Sequence, residues 1–200
     1  MKKLILIVCL LLLSGCSVVR IDTTSIDNIV SVVLSKDNSL YNQIGKGYKY
    51  YVPNGVNYID TNEYNDVLYS NGQYYYLYID IISYYHNVTK DYEINDEAYY
   101  SNIININDKV GYLEINKQNN GQYFIEFMYN YAKIEALCDE DDINDIVLNS
   151  SYILSTVKFN NNIIRAMLDD EFLVSEEKYD IFTSKQETSD FLKLEEEEIE

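Results

Sequence analysis

The stretch Val67-Leu68-Tyr69-Ser70-Asn71-Gly72-Gln73-Tyr74-Tyr75-Tyr76-Leu77-Tyr78-Ile79 decides the fold class. Asn-Gly tolerates the left-handed backbone angles of a tight turn, and strand-favouring residues flank it on both sides, so the segment predicts a β-hairpin. The returning strand reads as one long run from Gln73 to Tyr85. Alternation along a strand then places Tyr75, Leu77, Ile79 and Ile81 on one face and Tyr74, Tyr76, Tyr78 and Tyr84 on the other. The first row is core-like. The second is a candidate aromatic binding face.

A second hairpin follows the same logic. Gly111-Tyr112-Leu113-Glu114-Ile115 runs into Asn119-Asn120-Gly121 and returns from Gln122 to Ala136, with Tyr123, Ile125, Phe127, Tyr129 and Tyr131 on one face. Both turns continue as Asn-Gly-Gln-Tyr, at Asn71–Tyr74 and Asn120–Tyr123, but their flanks do not align, which favours convergence over duplication. Upstream, Tyr48-Lys49-Tyr50-Tyr51-Val52 leads into Pro53-Asn54-Gly55 and on to Val56-Asn57-Tyr58-Ile59. Proline lacks a ladder donor, so Pro53 belongs at a strand end or edge.

Helical periodicity brackets these strands. Ile26, Ile29, Val30, Val33 and Leu34 form one stripe behind Thr23, Thr24 or Ser25 as N-cap. Only Lys36 is basic nearby, so the stripe suits a protein core better than a lipid surface. Ile143, Ile146, Val147, Leu154 and Val157 mark a late helix, and Ile164, Met167, Leu168 and Phe172 a shorter one. Asp141 or Asp142 is placed to cap the late helix. The expected fold is α+β: a central antiparallel sheet built from hairpins, with an N-terminal and a late C-terminal helix packed on it.

The chain begins Met1-Lys2-Lys3, continues with the apolar run Leu4–Leu13 and then reads Ser14-Gly15-Cys16. Basic residues, a short apolar run and small residues before a cut describe a secretory signal, and the run is shorter than the roughly 20 residues a membrane span needs. Leu13-Ser14-Gly15-Cys16 resembles the lipobox of bacterial lipoproteins. That resemblance implies a diacylglyceryl group on Cys16, removal of residues 1–15 and a membrane anchor on the extracytoplasmic face. The expected organisation is a signal at 1–15, lipidated Cys16 and a tether to residue 23, one domain over 24–185 and an acidic tail over 186–200 that ends in Glu195-Glu196-Glu197-Glu198-Ile199-Glu200.

With 15 basic and 33 acidic residues the net charge is −18, which repels phosphate backbones and excludes nucleic acid as an expected partner. Loss of Cys9 with the signal and acylation of Cys16 leave Cys138 alone, so no internal disulfide is expected. Cys138 reads as a small hydrophobe at a strand end, since the one histidine, His86, has no recognisable spacing to it. No nucleophile elbow, phosphate loop, dinucleotide fingerprint or zinc set is present. Asp139-Glu140-Asp141-Asp142 fails as a calcium loop because Ile143 and Asn144 fall where a ligand and the loop glycine belong. No catalytic residue, metal or cofactor is therefore expected. Asp80 and Glu126, interior to the two long strands, are the carboxylates singled out for an alternative hydrolase reading.

The 22 tyrosines have a compositional explanation, since a chain rich in Asn, Ile and Tyr without Trp reflects codon bias, and a functional one, stacking on wall sugars or gripping a partner protein. Gly47-Tyr48-Lys49-Tyr50-Tyr51-Val52-Pro53, the antiparallel sheet after it and the late helix Ser150–Phe159 resemble PsbP-type domains. The resemblance implies helices on a central antiparallel sheet and a non-enzymatic envelope accessory role. The reading is a lipid-anchored binding or assembly module, with an envelope protein or wall polysaccharide as partner. A small carboxylate hydrolase and a ligand-carrying lipoprotein are the alternatives.

Overall fold

The computed structural model describes residue 23 and residues 25–62, 65–89 and 91–171. The expected signal, Cys16, most of the tether and everything beyond Glu171, including the acidic tail, lie outside the described residues. Helix α1 (Ile26–Leu34) starts at Ser25, whose Oγ accepts the Asn28 amide at 3.4 Å. Strands β1 (Gln43–Ile44) and β2 (Tyr48–Tyr50) are short. Then come β3 (Asn57–Asn62), β4 (Asn65–Ser70), β5 (Gln73–Ile79) and helix α2 (Ile81–His86). Four strands follow: β6 (Tyr100–Ile106), β7 (Lys109–Lys117), β8 (Tyr123–Tyr129) and β9 (Ala132–Cys138). A 3-10 turn at Glu140–Asp142 leads into α3 (Ile143–Thr156), β10 (Lys158–Phe159) and α4 (Asn161–Glu171).

Seven strands make one antiparallel sheet in the order β3-β4-β5-β9-β8-β7-β6, and β1, β2 and β10 make a second, three-stranded sheet. The large sheet is two meanders, β3 to β5 and β6 to β9, joined where β5 pairs with β9. Its inner face carries Leu68, Tyr75, Leu77, Leu113, Ile125, Phe127 and Ile134, each no more than 2% exposed. Helices α1 and α3 pack together and close that face with Ile29, Val30, Leu34, Ile146, Val147, Ile153 and Leu154. This is the α+β architecture expected from the hairpin and helix patterns. The α1 stripe is spent on this core.

Both Asn-Gly hairpins form, with different geometry. At the first, Asn71 (φ 50°) and Gly72 (φ 88°) are the entire turn, and Ser70 pairs directly with Gln73. At the second only Gly121 is left-handed (φ 92°); the Gly121 amide donates to Gln118 O at 3.0 Å, and the ladder resumes at Lys117 and Tyr123. One tetrapeptide thus serves two unlike turns.

Two strand assignments and one helix cap are corrected. The run from Gln73 to Tyr85 is not one strand: β5 stops at Ile79, and buried Asp80 starts α2 by accepting the Ser83 amide on Oδ1 at 2.8 Å. Ile81 therefore leaves the aliphatic row of the strand, and Tyr84 leaves the aromatic one. The run from Gln122 to Ala136 is likewise split by a turn at Asn130 (φ 52°) and Tyr131 (φ 62°), so Tyr131 is a turn residue. A positive φ is costly for an aromatic residue, and here Tyr131 packs edge-on against Tyr84 and Phe159. Finally, Asp142 occupies the N-cap position of α3, but its Oδ2 accepts Gln73 Nε2 at 3.0 Å instead of capping a helix amide.

Candidate functional site

The outer face of the large sheet holds three of the four expected aromatic residues. Tyr74 is 47% exposed, stacks on Tyr76 and packs at a tilt against Tyr69, whereas Tyr76 is only 3% exposed and Tyr78 is half-buried. Tyr84 lies in α2, stacked on Phe159 with centroids 3.8 Å apart. Instead of an open tyrosine ladder, the structure has exposed Tyr74 beside half-buried Tyr69, and the face grades into a buried polar layer.

That layer is a row of carboxylates set by strand register. Glu114 on β7 faces Glu126 on β8, and Glu126 faces Glu135 on β9. Like charges directly opposite destabilise a sheet unless they are matched. Tyr92, Asn95 Nδ2 at 3.0 Å and Asn116 Nδ2 at 2.8 Å donate to Glu114; Tyr112 donates to Glu126; Lys133 Nζ donates to Glu135 at 2.6 Å. Burial, and then the neighbouring carboxylate, push the Tyr112 phenol far above its ordinary range, so it remains a donor. Burial first, with Glu114 beside it, does the same for Tyr92. Tyr92 stacks flat on Tyr112 at 4.0 Å, which brings the segment before β6 onto this face. Among the described residues no group of three or more His, Cys, Asp or Glu could hold a metal ion. Of the two carboxylates singled out from sequence, Asp80 caps α2 and Glu126 belongs to this row. Glu114 and Glu135, which complete the row, were legible only as alternate residues within strands.

Two adjoining concave surfaces lie beside the small sheet. One groove of about 470 Å³ is lined by Tyr41, Ile44, Lys49, Lys158, Phe159 and Ile163. An adjoining hollow of about 360 Å³ is lined by Ile44, Lys46, Tyr58, Thr61 and Asp66. Ile44, 75% exposed, is the ridge between them, and Leu40, Tyr41 and Ile163 are also exposed nearby. Asp66 at the foot of the hollow is spoken for: it accepts Tyr50 OH at 2.7 Å, Thr61 Oγ1 at 2.6 Å and, more weakly, Tyr48 OH at 3.4 Å. Burial, and then this carboxylate, hold both tyrosine phenols well above their ordinary range.

The groove's electrostatics come from pairing between distant segments. β10 pairs with β2 so that Lys158 stands directly opposite Lys49 and Phe159 opposite Tyr48. Lys49 Nζ lies 4.0 Å over the Tyr41 ring, and Lys158 is 3.6 Å from the fully exposed Asp37. The Lys109 ammonium is held below its ordinary value by burial and then by Lys158. Cationic side chains thus converge on one side of a chain whose net charge is −18. Sequence reading missed this site, because more than a hundred positions separate Lys49 from Lys158 and the overall acidity conceals a local reversal.

Cys138 ends β9 fully buried, as expected of a small hydrophobe, and His86 in α2 packs edge-on against Tyr85. Among the described residues no helix is long and apolar enough to cross a membrane. No protein family, curated relative or solved structure matches the chain.

Proposed function

We propose that this chain is a lipid-anchored protein of the cell envelope, held through Cys16 at the extracytoplasmic face of the membrane, whose exported domain is a binding module. The observation that carries the binding reading is the cross-strand pair Lys49 and Lys158 at the mouth of an apolar groove. The register puts both lysines on one face of the small sheet, and the exposed Asp37 already sits 3.6 Å from Lys158 as a carboxylate that an anionic ligand would replace. Tyr41, Phe159 and Ile163 beside them offer ring and aliphatic surfaces that suit sugar rings. The ligand chemistry that fits is an anionic envelope polysaccharide.

The alternatives have less behind them. A hydrolase needs carboxylates free to act, and Asp66, Asp80, Glu114, Glu126 and Glu135 are each engaged by donors of the fold. A carrier of apolar ligands suits an enclosed pocket, and this groove is open. The likeness to PsbP-type domains agrees with a non-enzymatic role but adds no site.

Retention of sheared wall polymer by the full-length acylated protein in its own membranes tests the reading. Retention should fall at least tenfold in the double variant Lys49→Glu, Lys158→Glu and weaken with added salt, as exposed charge pairs do. Equal retention by the variant would remove the groove from the binding reaction.

A further inference from the structure

The two edges of the seven-stranded sheet are built differently. β3 is broken by a register shift between Tyr58 and Asp60, and that carboxylate sits on the edge strand itself. Bulges and edge charges are the devices by which sheets avoid pairing with other chains. β6, Tyr-Ser-Asn-Ile-Ile-Asn-Ile over Tyr100–Ile106, has neither: it pairs with β7 without a shift and contains no charge and no proline.

The free side of β6 can be read from its turn. Asn107 (φ 54°) and Asp108 (φ 58°) form a two-residue hairpin closed by Ile106 and Lys109, and the pair that closes such a turn is hydrogen-bonded. Antiparallel ladders alternate, so Ile104 and Asn102 bond to β7 as Ile106 does, while Ser101, Ile103 and Asn105 turn their N–H and C=O groups outward. Among the described residues no strand lies beyond β6. Its fringe is apolar: Ile103 is 50% exposed, Tyr99 51%, Ile94 52% and Val110 41%.

We propose that β6 pairs antiparallel with β6 of a second copy of this chain, about a two-fold axis through Ile103. The sequence is self-complementary in that register. Ile103 meets Ile103, Ser101 meets Asn105, Asn102 meets Ile104, and no charge faces another. The carboxylates beside the strand are engaged within the fold: Glu114, opposite Ser101, accepts from Tyr92, Asn95 and Asn116, and Asp27 accepts Tyr100 OH at 2.6 Å. In a chain of net charge −18 most encounters between copies are repulsive, and a strand that carries no charge along its own length, with Asp108 and Glu97 only at its ends, lowers that cost where the two copies pair. Two-fold axes of antiparallel pairs stand perpendicular to the sheet, so the two sheets become continuous and both α1–α3 layers fall on one face. The inference does not depend on the ligand of the groove, which lies around the small sheet.

Disulfide trapping in the full-length protein tests it, because a two-fold axis brings a residue against itself. Under mild oxidation, in a Cys9→Ser, Cys16→Ser background, Ile103→Cys should form a linked dimer at least tenfold more than Ile59→Cys on the opposite edge, while that background alone, with Cys138 buried, should form none. Sedimentation of the purified full-length protein should give a dimer for wild type and a monomer for Ile103→Lys at an unchanged unfolding midpoint. Equal trapping at the two edges would overturn the proposal, as would a dimer that survives Ile103→Lys. A wild-type monomer that acquires a β6 partner only from other envelope proteins would assign the edge to a foreign strand and overturn self-pairing.

Discussion

Glu126 and Glu135 stand directly opposite each other on β8 and β9, and the ammonium of Lys133 serves both, 2.6 Å from Glu135 Oε1 and 3.6 Å from Glu126 Oε2. All three side chains are at most 12% exposed. Removing one member of such a group strands the others in a medium that solvates charge poorly. Lys133→Met should therefore lower the unfolding free energy by about 3–5 kcal/mol. Adding Glu135→Gln should recover part of that loss, because one stranded charge is then gone. Denaturant midpoints of the three proteins check both statements, and an unchanged midpoint for Lys133→Met would mean that the carboxylates do not depend on it.

The glycines separate backbone cost from packing cost. A Cβ at Gly72 or Gly121 would meet nothing within 4 Å, so Gly72→Val and Gly121→Val should each cost about 1 kcal/mol or more through the left-handed backbone alone. At Gly111 a Cβ would fall 2.0 Å from Met128 O on the neighbouring strand. Gly111→Ala should cost about 3 kcal/mol or more by prising β7 from β8. A ranking with Gly111→Ala mildest would show that the β7–β8 register is not as described.

Alkaline pH should unfold the domain through groups that burial keeps protonated. Burial, with Asp142 and Asp139 adding to it, lifts the Cys138 thiol from 9.0 to about 12, and burial lifts the Tyr129 phenol from 10.0 to about 12. Above the ordinary value the unfolded chain releases a proton that the folded chain retains, which favours unfolding. Stability from these groups is complete below pH 9 and is lost as pH rises towards 12. Unfolding free energies at stepped pH should show the decline, and Cys138→Ala should remove its earliest part. A flat profile to pH 12 would contradict the burial of both groups.

The anchor is tested at Cys16. Cys16→Ser should abolish incorporation of labelled fatty acid and release the protein from the membrane fraction. Label that persists in the variant would defeat the assignment.

Legibility in the sequence followed the range of the interactions. The Asn-Gly hairpins, the α1 stripe and the late helix were readable because a turn's backbone angles and a helix's periodicity are set by residues within a few positions of each other. The turns at Asn107-Asp108 and Asn130-Tyr131 escaped notice because they contain no glycine, and a local signal is weak where tertiary contacts support the strained residue. The end of β5 escaped for a related reason: Asp80 could be recognised as a cap only once the chain was seen to turn there.

By itself, then, the sequence determined the α+β class, the hairpin-built sheet and the apolar face of the core, all of which depend on near neighbours and composition. Only the tertiary structure decided which charges meet. Lys49 faces Lys158, and Glu126 faces both Glu114 and Glu135, through strand pairings whose partners and register no local pattern specifies. A shift of one residue in either ladder would turn those side chains to the opposite face. The cationic groove and the buried carboxylate row therefore follow from register, which is settled when the whole core packs and not before.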